Sequence, residues 1–267
     1  MLSLLINPIK VLKNKIICEF ENIKNCYSDR LAYQKSIYKK YNLSRSDGIS
    51  IINKILKKQK YSDYDENSGM FSEHLIIFGS IASNEENNIK NILEIGTYDG
   101  ISSSILVDLF PKAQLITVDL EDDNPTFKNI YNRNNASERN LFIKKRNARL
   151  SKLNNIKFVQ MNSLNIPFNP VFKDKFDLIW VDGAHGYPIV CSDLTNAISL
   201  ANKKAFIMCD DVWKSIKTSD PIYSSIAAWE TLEAFRNAKI ISCDYFYKRL
   251  GKKFLSSKKY ISLSKLI

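Results

Sequence analysis

The chain has 267 residues, 45% hydrophobic and 11% aromatic, enough for one large domain with an extension and a substantial core. Five cysteines, Cys18, Cys26, Cys191, Cys209 and Cys243, are odd in number and lack a Cys-x-x-Cys pair, which argues against a disulfide or zinc framework and for free thiols in a reducing compartment. The net charge of +11 is uneven: +9 over residues 1–60, −5 over 61–247 and +7 over 248–267, so a mildly acidic body lies between two basic ends.

The N-terminal stretch Met1 to Leu12 is apolar but broken by Pro8 and Lys10, and it lacks the basic start and A-x-A site of a signal peptide. No run of about 18 apolar residues follows, so no transmembrane helix is expected. The expected location is cytoplasmic, with peripheral contact to an anionic surface through the basic N-terminal segment as an option. Ile9, Leu12, Ile16 and Phe20 fall at helical spacing, and Ile49, Ile52, Ile55 and Leu56 repeat the pattern ahead of Lys57, Lys58 and Lys60. Such stripes dock on a core, on a partner subunit of a homo-oligomer, or on a membrane surface. Tyr61 to Gly69 is polar and reads as a loop. Residues 1–69 are therefore set apart as a basic helical extension, and 70–267 as the main domain. Met70 to Ser83 reads as a helix in which His74 is a packed residue.

The body then alternates. Strands are expected at 91–95, 114–119, 156–161, 176–182, 204–209, 240–246 and 257–263, with helices at 101–110, 188–201 and 222–237. Alternation of this kind predicts an α/β fold with a doubly wound, Rossmann-like parallel sheet, and the final two strands, joined around Gly251 to Lys253, fit an antiparallel hairpin that would close it as a seven-stranded sheet with its last strand antiparallel. Residues 120–155 are an insertion whose second half is expected to be the helix between strands two and three, and whose first half is a candidate cover for the ligand.

Three stretches carry chemistry, and each ends an expected strand. The first is NILEIGTYDG, Asn91 to Gly100: an apolar strand, a loop with Gly96 and Gly100, then a helix from Ile101 with Ser102 in its first turn. Glycines let backbone approach a ligand, and a helix start offers free N–H groups. Asp119 ends the next strand 23 residues after Gly96, the spacing of an acid that takes a ribose hydroxyl pair. The loop is Glu-x-Gly-x-x-x-Gly, and a carboxylate at Glu94 suits an amine-bearing ligand better than a pyrophosphate. The second stretch is FDLIWVDGAHGY, with Asp182 and His185 beyond a buried strand. The third is AFIMCDDV, ending in Asp210 and Asp211. Three carboxylates on neighbouring strand ends repel unless a cation or proton offsets them, and an all-oxygen set favours a hard ion, magnesium first. Taken singly, Asp182 is an ordinary strand-end acid, Asp211 a cap for a helix starting at Val212, and His185 a turn residue.

The first stretch resembles motif I of the class I S-adenosylmethionine (SAM) methyltransferases. The D-G-A-H loop, followed by D-D 28 residues after its first Asp, is similar to metal-dependent O-methyltransferases of the macrolide-sugar type, grouped with the cephalosporin-hydroxylase-like and rhamnosyl O-methyltransferase families. It is more distantly similar to catechol O-methyltransferase, from which it departs twice: the acid pair there is Asp-Asn, and the base a lysine. The likeness covers roughly residues 70–246. It implies SAM as cofactor, contacted by Glu94, Gly96, Thr97, Tyr98, Gly100, Ser102 and Asp119, with Asn162 and Ser163 beside the adenine. It implies magnesium on Asp182, Asp210 and Asp211, and His185 as base, with Asp182 beside it in the catalytic group. The expected activity is Mg-dependent O-methylation of a sugar or other polyhydroxyl, a small molecule or glycan. The competing expectations are an RNA methyltransferase, suggested by the basic ends but lacking an Asn-Pro-Pro-Tyr or catalytic-cysteine loop, and a non-catalytic SAM-binding protein.

Overall fold

A computed structural model describes residues 27–66, 71–85, 88–131, 133–214, 225–250 and 259–267. The Ile9 to Phe20 stripe, Cys18 and Cys26, and the turn expected around Gly251 lie outside these residues. Among the described residues there are seven strands: β1 (Asn91–Ile95), β2 (Gln114–Asp119), β3 (Ile156–Gln160), β4 (Phe176–Val181), β5 (Ala201–Trp213), β6 (Ile241–Tyr247) and β7 (Lys259–Leu266). They lie side by side in the order β3-β2-β1-β4-β5-β7-β6. β1 to β5 pair parallel, and β7 runs antiparallel between β5 and β6. This is the doubly wound, Rossmann-like sheet expected from the alternation of strands and helices. β5 outruns its expected end at 209 because β7 pairs it as far as Trp213.

The strands alternate side chains between two apolar layers, as a sheet covered on both faces requires. Ile92, Leu115, Leu178, Trp180, Met208 and Phe246 face one layer, and Leu93, Val118, Ile179, Val181, Ile207 and Tyr245 the other. The first layer is roofed by α1 (27–40), α2 (Arg45–Lys58), α3 (Glu73–Glu85) and α4 (Ile101–Leu109). The second is roofed by α7 (Ile189–Leu200) and α8 (Ala227–Asn237). Two further helices, α5 (Pro125–Asn129) and α6 (Ala136–Leu150), lie between β2 and β3.

The second half of the basic segment is thus spent inside the molecule. Ile52 and Leu56 are fully buried, and Ile49 and Ile55 pack against the same layer. α2 crosses α3 where Gly48 meets Gly79: a Cβ on either would strike the other helix's backbone. Ser44 caps α2, accepting from the Asp47 N–H, with Lys57 and Lys58 at the opposite end of the helix dipole. Among the described residues, no helix is long and apolar enough to cross a membrane.

Candidate active site

The order of strands reverses between β1 and β4, so their carboxyl ends open a crevice, the usual ligand position in such sheets. Gly96 (φ 103°) and Gly100 (φ 77°) take left-handed backbone there. An added Cβ at Gly96 would run into the Asp182 carbonyl, so this glycine first serves the close meeting of the β1 and β4 loops. The Asp182 N–H donates to the Ile95 carbonyl at 2.8 Å and seals that seam.

Glu94 is fully buried beneath the loop. Its Oε2 accepts from Ser103 Oγ, at the start of α4, and from Thr117 Oγ1 on β2 at 2.6 Å, while Oε1 has no partner. Burial pushes its carboxyl up to about 7. Through Oε2, Glu94 braces the loop from below. Thr97 is also buried, its hydroxyl 2.6 Å from that of Thr117. Tyr98 and Asp119 remain at the crevice. The Asp119 carboxylate accepts from the Tyr98 N–H (2.7 Å) and the Leu120 N–H (2.8 Å), which fixes it at the end of β2. Asn162 caps the short 3-10 turn that follows β3, accepting from the Leu164 N–H, and Ser163 opens that turn. Ser102 lies in the first turn of α4, half-buried.

The candidate cover is packed down beside Asp119. The Arg133 guanidinium carbon lies 3.9 Å from the ring centroid of Phe127, 5.0 Å from Phe142 and 5.8 Å from Tyr98, a cation–π enclosure. Below it, fully buried Arg146 of α6 holds the Asp122 carboxylate with two bonds of 2.8 and 3.0 Å. The sequence reading did not single out Arg133 as a contributor. Its apparent signal, a basic residue within a polar run, is that of any surface loop.

The acid cluster depends on an irregularity in β5. Successive residues of a strand point to opposite faces, so Asp210 and Asp211 could not otherwise serve one site. The β5–β7 register shifts between Cys209 and Val212, and Asp211 takes φ 49°, a bulge that re-aims its side chain. No helix starts at Val212, so the capping role of Asp211 is ruled out. His185 Nε2 stands 3.9 Å from Asp182 Oδ1 and 4.0 Å from Asp211 Oδ2. All four residues expected at the centre therefore meet. Burial holds His185 below the usual histidine range, against the pull of Asp211 and Asp210, so the ring is neutral near pH 7. Burial, then the Asp210 charge, holds Asp182 well above the carboxylate range, although 30% of its side-chain surface stays open.

Two lysines missed in the sequence complete the cluster. Lys248, just beyond β6, donates from Nζ to Asp210 Oδ2 at 2.5 Å and to Asp211 Oδ1 at 2.6 Å. Lys259, opening β7, holds Asp211 Oδ2. Burial would raise Asp210, yet the Lys248 ammonium holds its carboxyl well below the usual range; burial would lower Lys248, yet Asp210 and Asp211 keep it firmly protonated. His74 lies nearby, stacked on Trp180 with centroids 5.2 Å apart, the packed residue that was expected, and burial pushes it down to about 4.

The donors suit a divalent ion in kind, being all oxygen, and Asp210 Oδ1 has no partner. They do not fit one in charge: two carboxylates face two ammonium groups, and three of their four oxygens are already bonded. Among the described residues no His/Cys/Asp/Glu group has metal-holding geometry. The crevice does fit a sulfonium cofactor, with the unpaired Glu94 oxygen below a glycine loop and Asp119 fixed beside it.

Residues 93–212 match the family model described as a methyltransferase domain. Among solved structures, the chain is similar to the O-methyltransferase TomG from Streptomyces achromogenes, involved in tomaymycin synthesis, in complex with SAM: 16% identity, 91% of this chain and 97% of that one, TM-score 0.47. It is similar to a putative caffeoyl-CoA O-methyltransferase from Staphylococcus aureus at 16% identity, 88% and 98% coverage and TM-score 0.49. It is likewise similar to the SAH-bound methyltransferase PaMTH1 from Podospora anserina at 16% identity, 89% and 95% coverage and TM-score 0.47. A comparison with curated proteins returned no match. The strand order and the match over residues 93–212, rather than these distant likenesses, carry the assignment. With its glycine loop and its strand-end acid, the stretch over residues 93–212 is a SAM-dependent methyltransferase domain.

Proposed function

We propose that the enzyme transfers the methyl group to the hydroxyl of a sugar or other polyhydroxyl acceptor, with His185 as the base. The observation that carries this reading is a buried histidine whose Nε2 stands about equally far from Asp182 and Asp211, at the end of β4 next to the glycine loop. SAM, when bound, supplies a methyl group on a sulfonium. His185 takes the proton of the acceptor hydroxyl as the oxygen–carbon bond forms and the carbon–sulfur bond to the cofactor breaks, and Asp211 stabilises the imidazolium that results. Lys248 cannot take that proton, since its two carboxylate partners keep it charged. The oxygen-rich, charged cluster suits a polyhydroxyl acceptor, in keeping with the likeness to sugar O-methyltransferases.

Magnesium assistance is the second reading. It is favoured by the unpaired Asp210 Oδ1 in an all-oxygen set that includes Asp182. When bound, such an ion would acidify and position the hydroxyl, and Asp182, Asp210 and Asp211 would hold it. That requires Lys248 to leave the acid pair.

Incubating the protein with SAM and a panel of sugars and sugar nucleotides, followed by mass spectrometry, should show one acceptor gaining a methyl group. Methylation of RNA alone, or SAM binding without turnover on any hydroxyl acceptor, would overturn the reading. Asp119→Ala is expected to weaken SAM binding by roughly 1–3 kcal/mol, the scale of a lost charge-assisted hydrogen bond, as read by titration calorimetry. Unchanged affinity would remove Asp119 from the ribose position.

A further inference from the structure

We propose that Lys248 is the resident cation of the active site: its ammonium holds Asp210 and Asp211 in place of a divalent ion, and an ion can bind there only by displacing it. The proposal deepens the hydroxyl-methylation reading and rests on it only for the naming of the site.

The geometry is specific. Lys248 Nζ bridges two different carboxylates at 2.5 and 2.6 Å, with 12% of its side chain exposed. The bridge joins consecutive residues that only the β5 bulge lets face the same way. Lys259 takes the outer oxygen of Asp211, so the pair is satisfied from two directions. The backbone fixes Lys248 as well: its carbonyl accepts from the Glu73 N–H at 3.0 Å, and its own N–H donates to the Lys259 carbonyl at 3.1 Å. Next in the chain, Arg249 donates to the Phe71 carbonyl at 3.2 Å.

Two buried carboxylates this close cannot both stay ionised without a neighbouring cation. A lysine supplies one positive charge at each pair of contacts and needs no free ion. A divalent ion entering beside two ammonium groups would meet their repulsion at contact distance, a cost its own coordination would have to exceed. Lys248 thereby does the neutralising work that the acid cluster alone would assign to magnesium. It is a positioning residue, setting Asp210 and Asp211, the second of which faces His185.

The test is a Mn2+ titration of the full-length protein, read by electron paramagnetic resonance, alongside thermal melts in EDTA and in magnesium. The wild type should show no saturable Mn2+ site below the millimolar range, the same melting midpoint in EDTA and magnesium, and turnover that survives EDTA. Lys248→Met keeps the length of the side chain and removes the charge. It should gain a saturable Mn2+ site at least about tenfold tighter than any in the wild type, and a melting midpoint that magnesium raises, because an ion binding only the folded state stabilises it. Lys248→Gln, a second uncharged variant, should behave alike if the methionine variant folds poorly, and the wild-type titration reads out without either. One tight Mn2+ per wild-type chain, or variants that bind Mn2+ no better than the wild type, would overturn the proposal. Such a failure leaves methyl transfer untouched, since that is judged separately by the appearance of a methylated acceptor.

Discussion

Replacing His185 with alanine is expected to lower kcat by roughly 10²–10⁴-fold, the range for removing a general base, while SAM affinity stays nearly unchanged. The asymmetry follows from position. His185 follows β4 and faces Asp182 and Asp211, whereas the cofactor loop is built on β1, Asp119 and α4. The pH profile sharpens the test. Burial lowers the His185 pKa in spite of the neighbouring acids, so the active, neutral form should predominate from mildly acidic pH upward. The rate should therefore rise through an ionisation below the ordinary histidine value of 6.5 and level off towards neutrality. That rising limb should vanish in His185→Ala. A variant with wild-type kcat on the true acceptor would take the proton-acceptor role away from this residue.

The sheet and the crevice were legible because their signals are local. NILEI, QLITVD and FDLIWV are short apolar runs, each closed by an acid or a glycine, and each became a strand end at the crevice. Asp182, His185, Asp210 and Asp211 lie on neighbouring strand ends, so strand order brought them near one another, and the β5 bulge turned Asp211 into the same site as Asp210. Lys248 and Lys259 were not legible. Each belongs to a lysine-rich tail whose composition predicts solvated charge, and only the antiparallel return of β7 between β5 and β6 carries them to the acid pair. The magnesium expectation came from counting the acids without their counter-ions. The burial of Glu94 was not legible for a related reason: a motif fixes a residue's place along the chain, not its depth. Here the strand pleat turns it beneath the loop, towards Ser103 and Thr117.

The N-terminal segment bears on the same cluster through one buried ion pair. Glu73, first residue of α3, is fully buried, and Arg45, first residue of α2, holds it with two bonds of 2.7 and 2.9 Å; Tyr38 of α1 adds a third at 2.9 Å. The Glu73 N–H in turn holds the Lys248 carbonyl. Three helices of the N-terminal half and the cation of the active site thus converge on one residue. Arg45→Met should destabilise the fold by about 3–5 kcal/mol, because it strands a buried carboxylate, a larger penalty than the net worth of the intact pair. The deficit should depend on pH. Burial already holds Glu73 above its ordinary 4.5 in spite of Arg45, and removing the guanidinium raises it further. A carboxyl whose folded pKa exceeds its unfolded one contributes fully below the unfolded value and loses that contribution as pH rises through the folded one. Denaturant unfolding should accordingly find Arg45→Met close to wild type near pH 4.5 and progressively weaker towards pH 8, with Arg45→Met/Glu73→Gln recovering much of the loss. A deficit that is flat with pH, or a double variant as weak as the single, would show that Arg45 acts through packing rather than through the charge on Glu73.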